Sequence, residues 1–219
     1  MLQGVVLKNL PYRFWHWTPR YIYDRLHLFW FELHNPESPW ITKQARDILD
    51  LWFCNKDVGF EWGSGRSTLW FAARVKHLTS VEEDQPWFIK IKKQIEIKKL
   101  KNISYLYKSD ISLNENSSYV HEIDDKKGGS LNFILVDGAL RDLCVLAAIP
   151  KLKPGGLLIL DNVNWYLPCD SRSPNSIRSL QELKSKYWAH FIEQIKYWRC
   201  FWTTNGVTDT AIWVKPRNI

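Results

Sequence analysis

Two acidic residues and two glycines in the first half of the chain have the types and spacing of a ligand-binding turn. Glu61, Gly63 and Gly65 lie between an apolar run and a segment with helical periodicity, in the stretch VGFEWGSGRSTLWFAARV. A glycine-rich turn between the first strand and first helix of a parallel sheet lets a ligand approach the backbone closely. Glu82 follows Glu61 by about 21 residues, where an acid accepts hydrogen bonds from ribose hydroxyls. These residues predict a site for a nucleoside-bearing cofactor.

The residues around the turn also limit which cofactor it would hold. A dinucleotide site usually has the pattern G-x-G-x-x-G, with a pyrophosphate at the helix N-terminus. Here Glu61 precedes the turn, and Ser67 and Thr68 open the helix. A carboxylate repels a pyrophosphate but attracts a cationic amino-acid group. The pattern therefore favours a nucleoside cofactor that carries an amino acid.

A second group of oxygen-bearing side chains follows two later apolar runs. Asp137 ends NFILVDG, and Asp161 with Asn162 ends GGLLILDN. Carboxylate and amide oxygens suit Mg²⁺ or a similar hard cation that stays partly hydrated. We therefore expect either a metal held by these three residues or a direct catalytic role for Asp137 and Asp161. In the alternative, Asp137 caps a turn and Asp161 and Asn162 only begin a loop.

The elements that must position these residues alternate between strand and helix. From residue 57 onward, short apolar runs alternate with helical patterns, separated by turn signals such as KPGG. This alternation is typical of an α/β fold with a mainly parallel sheet and helices on both faces. The strand ends that carry Glu61, Glu82, Asp137 and Asp161 would then meet at one edge. The main domain is expected at residues 57–219.

Residues 1–56 are expected to form a separate, aromatic-rich helical cap. The segment YIYDRLHLFWFEL places Ile22, Leu26, Phe29 or Trp30, and Leu33 on one helix face, and NPESP ends it before WITKQARDILDLW. These side chains would form a substrate lid or a membrane-surface face. The alternative is that they pack against the main domain.

The C-terminal segment is expected to add a reversed pair of strands. HFIEQIKYW and TDTAIWVKP have strand-like composition, and the connection CFWTTNGV between them contains Asn205-Gly206, a strong turn signal. A typical dinucleotide-binding sheet lacks such a pair.

Five segments occur in an order that resembles the class I S-adenosylmethionine-dependent methyltransferases. They are FEWGSGRST, SVEED, YKSD, ILVDGALR and LKPGGLLILDN, and the resemblance spans roughly residues 57–215. It implies a Rossmann-like fold with a mainly parallel seven-stranded sheet whose last strand is antiparallel. Glu82 would bind the ribose hydroxyls, and Asp110 would lie near the adenine amino group unless it is only a helix N-cap. The implied cofactor-binding residues are Glu61, Gly63, Ser64, Gly65, Ser67, Thr68, Glu82, Asp110 and Asp137.

Part of this pattern is also similar to the metal-dependent catechol and caffeoyl-CoA O-methyltransferases. In those enzymes an Asp after the fourth strand and an Asp-Asn pair after the fifth hold the metal. The chain departs from them at Leu140 and Arg141, where the catechol-type enzymes have a Lys three residues after the first Asp. Arginine stays protonated, so we expect Arg141 to anchor a carboxylate or phosphate of the acceptor. Trp165 and Tyr166, with the N-terminal aromatics, are expected to line the acceptor pocket.

Composition and charge limit the kinds of molecule that we expect this protein to act on. The 219 residues carry a formal net charge of +7, and much of the excess lies in WFIKIKKQIEIKKLKN, residues 87–102. A solvated helix face explains most such patterns. The chain also lacks the Asn/Asp-Pro-Pro-aromatic motif of nucleobase methyltransferases, which argues against a nucleic-acid partner. We expect O-methylation of a small molecule or a sugar- or lipid-like metabolite. An RNA-modifying enzyme and a non-catalytic S-adenosylmethionine-binding or membrane-surface protein are the alternatives.

Cysteine usage and hydropathy bear on the location. The four cysteines are scattered without a Cys-x-x-Cys pair, and no apolar run approaches the roughly 18 residues that span a bilayer. The N-terminal residues lack the apolar core and cleavage site of a signal peptide. We therefore expect a cytoplasmic protein with reduced cysteines.

Overall fold

Seven strands form one sheet in the computed structural model, which describes residues 17–112 and 117–217. The order across the sheet is β3-β2-β1-β4-β5-β7-β6. Strands β1 to β5 are parallel to one another, and β7 is antiparallel to both β5 and β6. The strands are β1 (Val58–Trp62), β2 (His77–Glu82), β3 (Ile103–Tyr107), β4 (Leu131–Val136), β5 (Leu152–Asp161), β6 (Arg199–Thr204) and β7 (Asp209–Val214). The predicted mainly parallel, Rossmann-like sheet is confirmed.

Helices cover both faces of this sheet. They are α1 (Pro19–His34), α2 (Lys43–Trp52), α3 (Arg66–Ala72), α4 (Gln85–Ile97), α5 (Ser118–His121), α6 (Arg141–Ala148) and α7 (Lys186–Ile195). Short 3-10 helices lie at Glu122–Asp125, Ile149–Lys151, Val163–Trp165 and Leu180–Glu182. Strand order reverses between β1 and β4, which is where open α/β sheets form a ligand crevice at their carboxyl edge.

The alternation of side chains along the strands divides the core into two layers. In β4, Phe133 and Leu135 pack with residues of α2 and α3, whereas Ile134 and Val136 pack with residues of α6 and α7. Because both faces of the central strands are covered, these strands are apolar runs rather than alternating patterns. The two core layers therefore fix the positions of the strand ends at one edge of the sheet.

The two N-terminal helices are packed very differently. Helix α2 buries Ala45 and Leu49 in one of the core layers, whereas no residue of α1 is buried. The predicted apolar stripe of α1 is exposed, with Ile22 43% and Leu33 65% accessible. Residues 1–16 of the expected cap lie outside the described residues. The division at residue 56 remains a prediction.

The C-terminal strand prediction is wrong for one of its two segments. Most of HFIEQIKYW belongs to helix α7, and CFWTT, predicted as the connection, lies in strand β6. Trp188, Phe191 and Ile195 recur at helical spacing and are all buried, so burial of this face decides the helix. The tight Asn205-Gly206 turn is confirmed, and Gly206 has a φ of +80°.

The predicted KPGG turn is also altered. Strand β5 begins at Leu152, so Pro154, Gly155 and Gly156 lie within its first half. The strand is irregular there: Gly155 has a φ of +79°, and the pairing with β4 shifts register between Leu131 and Phe133.

Among the described helices, none combines the length and the apolar character that crossing a bilayer would need.

Candidate functional site

The turn after β1 contains two glycines with different roles. Gly63 has a φ of +84°, and its amide donates a 2.9 Å hydrogen bond to the Val81 carbonyl. A Cβ at this position would lie 2.5 Å from the Gly138 nitrogen, so the protein's own backbone excludes a side chain. A Cβ on Gly65 would meet only Trp87, at 3.9 Å. Gly63 thus fixes the turn, and Gly65 leaves room beside it.

Glu61 at the end of β1 is fully buried beneath this turn. Its Oε2 accepts hydrogen bonds from the Thr68 hydroxyl at 2.6 Å and the Ser80 hydroxyl at 2.7 Å. Its other oxygen, Oε1, is buried and has no hydrogen-bond partner. Burial raises the pKa of Glu61 to about 7, although the nearby hydroxyl groups of Ser67, Thr68 and Ser80 oppose the shift. One carboxylate oxygen is therefore left without a donor.

Glu82 at the end of β2 is bound to the same turn. Its Oε2 accepts from the Ser64 amide at 2.8 Å and from the Ser64 hydroxyl at 2.6 Å. Its Oε1 accepts from the backbone amides of Glu83 and Asp84 at 3.1 and 3.0 Å. The Ser64 hydroxyl, also 2.7 Å from the Tyr105 hydroxyl, thus occupies an acceptor position that a ribose hydroxyl could take.

Asp110 lies in the loop after β3, and its carboxylate serves that loop. Its Oδ1 accepts from the amide and hydroxyl of Ser112 at 3.1 and 2.5 Å, and its Oδ2 accepts from the Ser118 amide at 3.0 Å. These hydrogen bonds lower the pKa of Asp110. Asp110 thus accepts from the first amide of α5 without being its N-cap, which is Ser117, and a contact with adenine stays a prediction.

Arg141 joins the ends of β4 and β5. Its Nε donates to the Gly138 carbonyl at 2.9 Å, and its Nη1 donates to the Asp161 carbonyl at 2.6 Å and to Asn162 Oδ1 at 3.2 Å. Its Nη2 lies 2.6 Å from the Asp137 carbonyl and 3.0 Å from Asp137 Oδ1. A guanidinium has five N–H donors, so these contacts engage all of them. Arg141 is therefore a structural cation in this structure. Its expected role as an anchor for the acceptor would need a free N–H donor, and these contacts leave none.

The position of Arg141 does not fit a metal held by Asp137, Asp161 and Asn162. The guanidinium contacts Asp137 and Asn162 directly, whereas the Asp161 side chain accepts from Thr210. Burial raises the pKa of Asp137, and Arg141 opposes that shift without cancelling it. Within residues 17–112 and 117–217, no group of three His, Cys, Asp or Glu side chains could hold a metal ion. The predicted metal is not supported.

Asp161 sits at the end of a hydrogen-bond chain that reaches the N-terminal helices. The Thr210 hydroxyl donates to Asp161 Oδ1 at 2.6 Å, and its oxygen accepts from the Thr42 amide at 3.0 Å. Thr42 is the N-cap of α2, so this helix is bonded to the same sheet edge. Burial raises the pKa of Asp161 to about 7, and the negative charge of Asp137 adds to the shift.

Trp165 and Tyr166 follow Asn162 at the same edge. The Tyr166 ring stacks on Trp188 with 4.9 Å between centroids, and the Arg141 guanidinium lies 5.6 Å from its centre. Trp165 Nε1 is buried without an acceptor. An indole N–H without a partner is a donor available to a ligand. Their expected contact with an acceptor stays a prediction.

Several residues of this site were missed by sequence reasoning. Thr210 and Ser80 lie inside strands, and only the known sheet order shows that their hydroxyls reach Asp161 and Glu61. Trp87 donates through Nε1 to the Ser64 carbonyl at 2.7 Å, a contact that its place on α4 does not reveal. For Tyr105 one signal was available, because it has a polar group and lies in β3. Strand β3 pairs with β2, which carries Glu82.

Comparison with solved structures identifies the fold. A proposed caffeoyl-CoA O-methyltransferase of Staphylococcus aureus is 18% identical, with a TM-score of 0.57 over 96% of this chain and 99% of that chain. A proposed methyltransferase of Streptococcus mutans, solved with S-adenosylhomocysteine, is 12% identical, with a TM-score of 0.54 over 79% and 96%. The chain has the class I methyltransferase fold.

The same fold also carries other named activities. An rRNA methylase of Streptococcus thermophilus is 10% identical, with a TM-score of 0.51 over 79% of this chain and 95% of that chain. No protein-family model matches the chain, and no curated protein matches it in sequence. Because one structure is named for caffeoyl-CoA and another for rRNA, the class I methyltransferase fold leaves the acceptor open.

The residues at the turn fit the nucleoside and amino-acid cofactor that this fold commonly holds. The unpartnered oxygen of Glu61 matches an ammonium group, which can donate three hydrogen bonds. Glu82 is held by four donors at the end of β2, in place to accept from ribose hydroxyls. The geometry of the turn is thus compatible with such a cofactor, and the cofactor-binding roles of these side chains stay predictions.

Proposed function

We propose that this protein is an S-adenosylmethionine-dependent methyltransferase that methylates an oxygen of a small-molecule acceptor. One observation carries the proposal: the buried carboxylate of Glu61, under the glycine turn, has one oxygen without a donor. Buried polar atoms are nearly always paired, so an unpaired one at a sheet's ligand edge calls for a binding partner. The class I methyltransferase fold and the position of Glu82 support the same cofactor.

In this proposal each part of the turn has a separate task. Glu61 would receive the ammonium of the cofactor, and Glu82 would accept from its ribose hydroxyls after the Ser64 hydroxyl turns away. Gly65 would leave room for the cofactor next to the backbone. The cofactor supplies an electrophilic methyl group on a sulfonium. The chain has to hold the acceptor in line with that methyl and exclude water.

The acceptor oxygen must lose a proton, and Asp161 is the base that we propose. A general base works best with a pKa near the operating pH, and burial brings the pKa of Asp161 to about 7. The Thr210 hydroxyl holds one of its oxygens at 2.6 Å. Asp137 is paired with Arg141, so we propose that it helps to hold the ends of β4 and β5 in place and keeps the pKa of Asp161 high. No step in this account uses a metal, because a guanidinium contacts two of the three expected ligands.

Support for oxygen as the acceptor atom comes from the likeness to the proposed caffeoyl-CoA O-methyltransferase, which spans 96% of this chain. The aromatic pair Trp165 and Tyr166 at the same edge suits a planar acceptor. The cytoplasmic location expected from the sequence stays a prediction.

The proposal is tested by incubating the purified chain with methyl-labelled S-adenosylmethionine and a small-molecule extract. We expect label in small molecules, loss of labelling in Asp161→Asn, and unchanged binding of S-adenosylhomocysteine by that variant. Labelling of added RNA instead would move the acceptor to nucleic acid. Failure of S-adenosylhomocysteine to bind the folded protein would remove the proposal altogether.

A further inference from the structure

A cavity of about 1110 Å³ lies behind the glycine turn, away from the strand ends. It is partly open to solvent and is lined by the segment 35–50, by α3 and by α4 with the residues that follow it. It adjoins the turn at Arg66, which follows Gly65, and at Trp87, which donates to the Ser64 carbonyl. Ligand sites commonly measure roughly 300 to 1,000 Å³, so this space is large enough for a small organic molecule. The apolar part of its wall includes Trp40, Leu69, Trp70, Trp87, Ile91 and Leu100.

The charges that line this cavity are unbalanced. It has five basic residues and three acidic ones. Each acid is already paired: Glu37 with Lys98 at 2.5 Å, Asp50 with Arg74 at 2.6 Å and Asp47 with Arg46 at 2.5 Å. The two cations left, Arg66 and Lys90, have no acidic partner among the described residues. The wall therefore presents two unneutralised positive charges.

These two cations are held by a pair of tryptophans. The Arg66 guanidinium lies 5.2 Å from the centre of the Trp40 ring, and the Lys90 ammonium lies 4.1 Å from that of Trp87. The two indoles stack on each other with 5.9 Å between centroids. The Nη1 atom of Arg66 is buried and has no hydrogen-bond acceptor. An anion at this point would supply the acceptor and the countercharge that the protein does not.

We infer that this cavity is a binding site for a small aromatic anion, a phosphate monoester or carboxylate attached to a planar apolar ring. Arg66 and Lys90 would pair with the anionic group, and Trp40, Trp70 and Trp87 would contact the ring. The site differs from the candidate cofactor site, since none of its lining residues is one of the predicted cofactor-binding residues and none belongs to a strand end. The inference does not depend on methyl transfer.

The test is a titration of the isotopically labelled protein with 1-naphthyl phosphate and, separately, 1-naphthoate, observed through the indole N–H signals of Trp40 and Trp87. Those signals are assigned with Trp40→Phe and Trp87→Phe. We expect saturable shifts of both signals with at least one of the two anions. Arg66→Gln and Lys90→Gln should each weaken that binding about tenfold, the loss expected for one charged hydrogen bond. Lys92→Gln, an exposed lysine on the same helix outside the cavity, should leave it unchanged.

Two neutral or ring-free probes complete the design. 1-Naphthol lacks the charge and inorganic phosphate lacks the ring, so each should bind at least about tenfold more weakly. The inference is overturned if neither anion gives a saturable shift, or if Lys92→Gln weakens binding as much as Arg66→Gln. Displacement of the probe by S-adenosylhomocysteine would place it in the cofactor site and also overturn it. Tighter, steeply salt-dependent binding of a single-stranded oligonucleotide would favour nucleic acid instead.

Discussion

The acids at the two halves of the sheet edge have different kinds of partner. At the ends of β1 and β2, Glu61 and Glu82 are held by hydroxyls and backbone amides, and one oxygen of Glu61 has no donor. At the ends of β4 and β5, the guanidinium of Arg141 is bonded to Asp137, the Asp161 carbonyl and Asn162. The first half still lacks a cation, whereas the second already contains one. An acid near one strand end, Glu61, therefore keeps an acceptor oxygen without a donor, whereas Asp137 after another strand is already paired with a cation.

The largest effect should come from removing the cation of the second half. Arg141→Met leaves the half-buried Asp137 carboxylate without its partner and removes the donor from three backbone carbonyls, which should cost about 3 kcal/mol of stability. Urea denaturation measures the loss. Arg199→Met, at an exposed position on β6, is the matched control and should change the free energy of unfolding little. Equal stability of Arg141→Met and wild type would show that the guanidinium contacts are dispensable.

A smaller effect is expected at the ribose end of the first half. Glu82→Ala should weaken S-adenosylhomocysteine binding by about 1 to 3 kcal/mol, because the ribose hydroxyls lose a charged acceptor. Calorimetric titration measures this. Ser64→Ala should bind at least as tightly as wild type, since it removes the hydroxyl that now occupies Glu82 Oε2. If Ser64→Ala binds much more weakly than Glu82→Ala, the roles of the two residues are assigned wrongly.

The first half should also give a pH signature in the cofactor-free protein. Burial raises the pKa of Glu61 from 4.5 to about 7, so the folded state binds its proton more tightly than the unfolded state. The stabilisation is fully present below about pH 4.5 and is lost as the pH rises to about 7. Glu61→Gln should therefore reduce the fall in stability across this window by about 2 to 3 kcal/mol. An unchanged pH profile for Glu61→Gln would contradict the raised pKa.

The smallest expected change is that caused by chelation. Because Arg141 contacts two of the three expected metal ligands, turnover should be the same with and without excess EDTA. Restoration of lost activity by Mg²⁺ or Mn²⁺ would overturn this part of the account. It would require the Arg141 side chain to leave Asp137 when substrates bind.

Much of this architecture could be predicted because strand ends in a parallel sheet share an edge. The apolar runs at β1, β2, β4 and β5 and the acids that follow them fix which residues meet. The error at α7 arose because Phe191, Ile192 and Ile195 are aromatic or β-branched and favour strands. Phe191 and Ile195 are at helical spacing with Trp188, and all three are buried. Tertiary packing decided between the two.

The role of Arg141 could not be predicted from the sequence. Its side chain reaches three carbonyl groups and two side chains in the loops that follow β4 and β5. No pattern of spacing encodes that path. The unpartnered oxygen of Glu61 was equally hidden, because it depends on how many of the nearby hydroxyls point toward it.

The most direct test of the central claim compares two ligands on two proteins. S-adenosylhomocysteine carries the ammonium group that Glu61 is proposed to receive, and 5′-methylthioadenosine lacks it. Titration calorimetry should show wild type favouring S-adenosylhomocysteine by about 10- to 100-fold through this charged hydrogen bond. Glu61→Gln should lose most of that preference while its affinity for 5′-methylthioadenosine stays close to wild type. An equal preference in both proteins would contradict the claim that the open oxygen of Glu61 binds the cofactor.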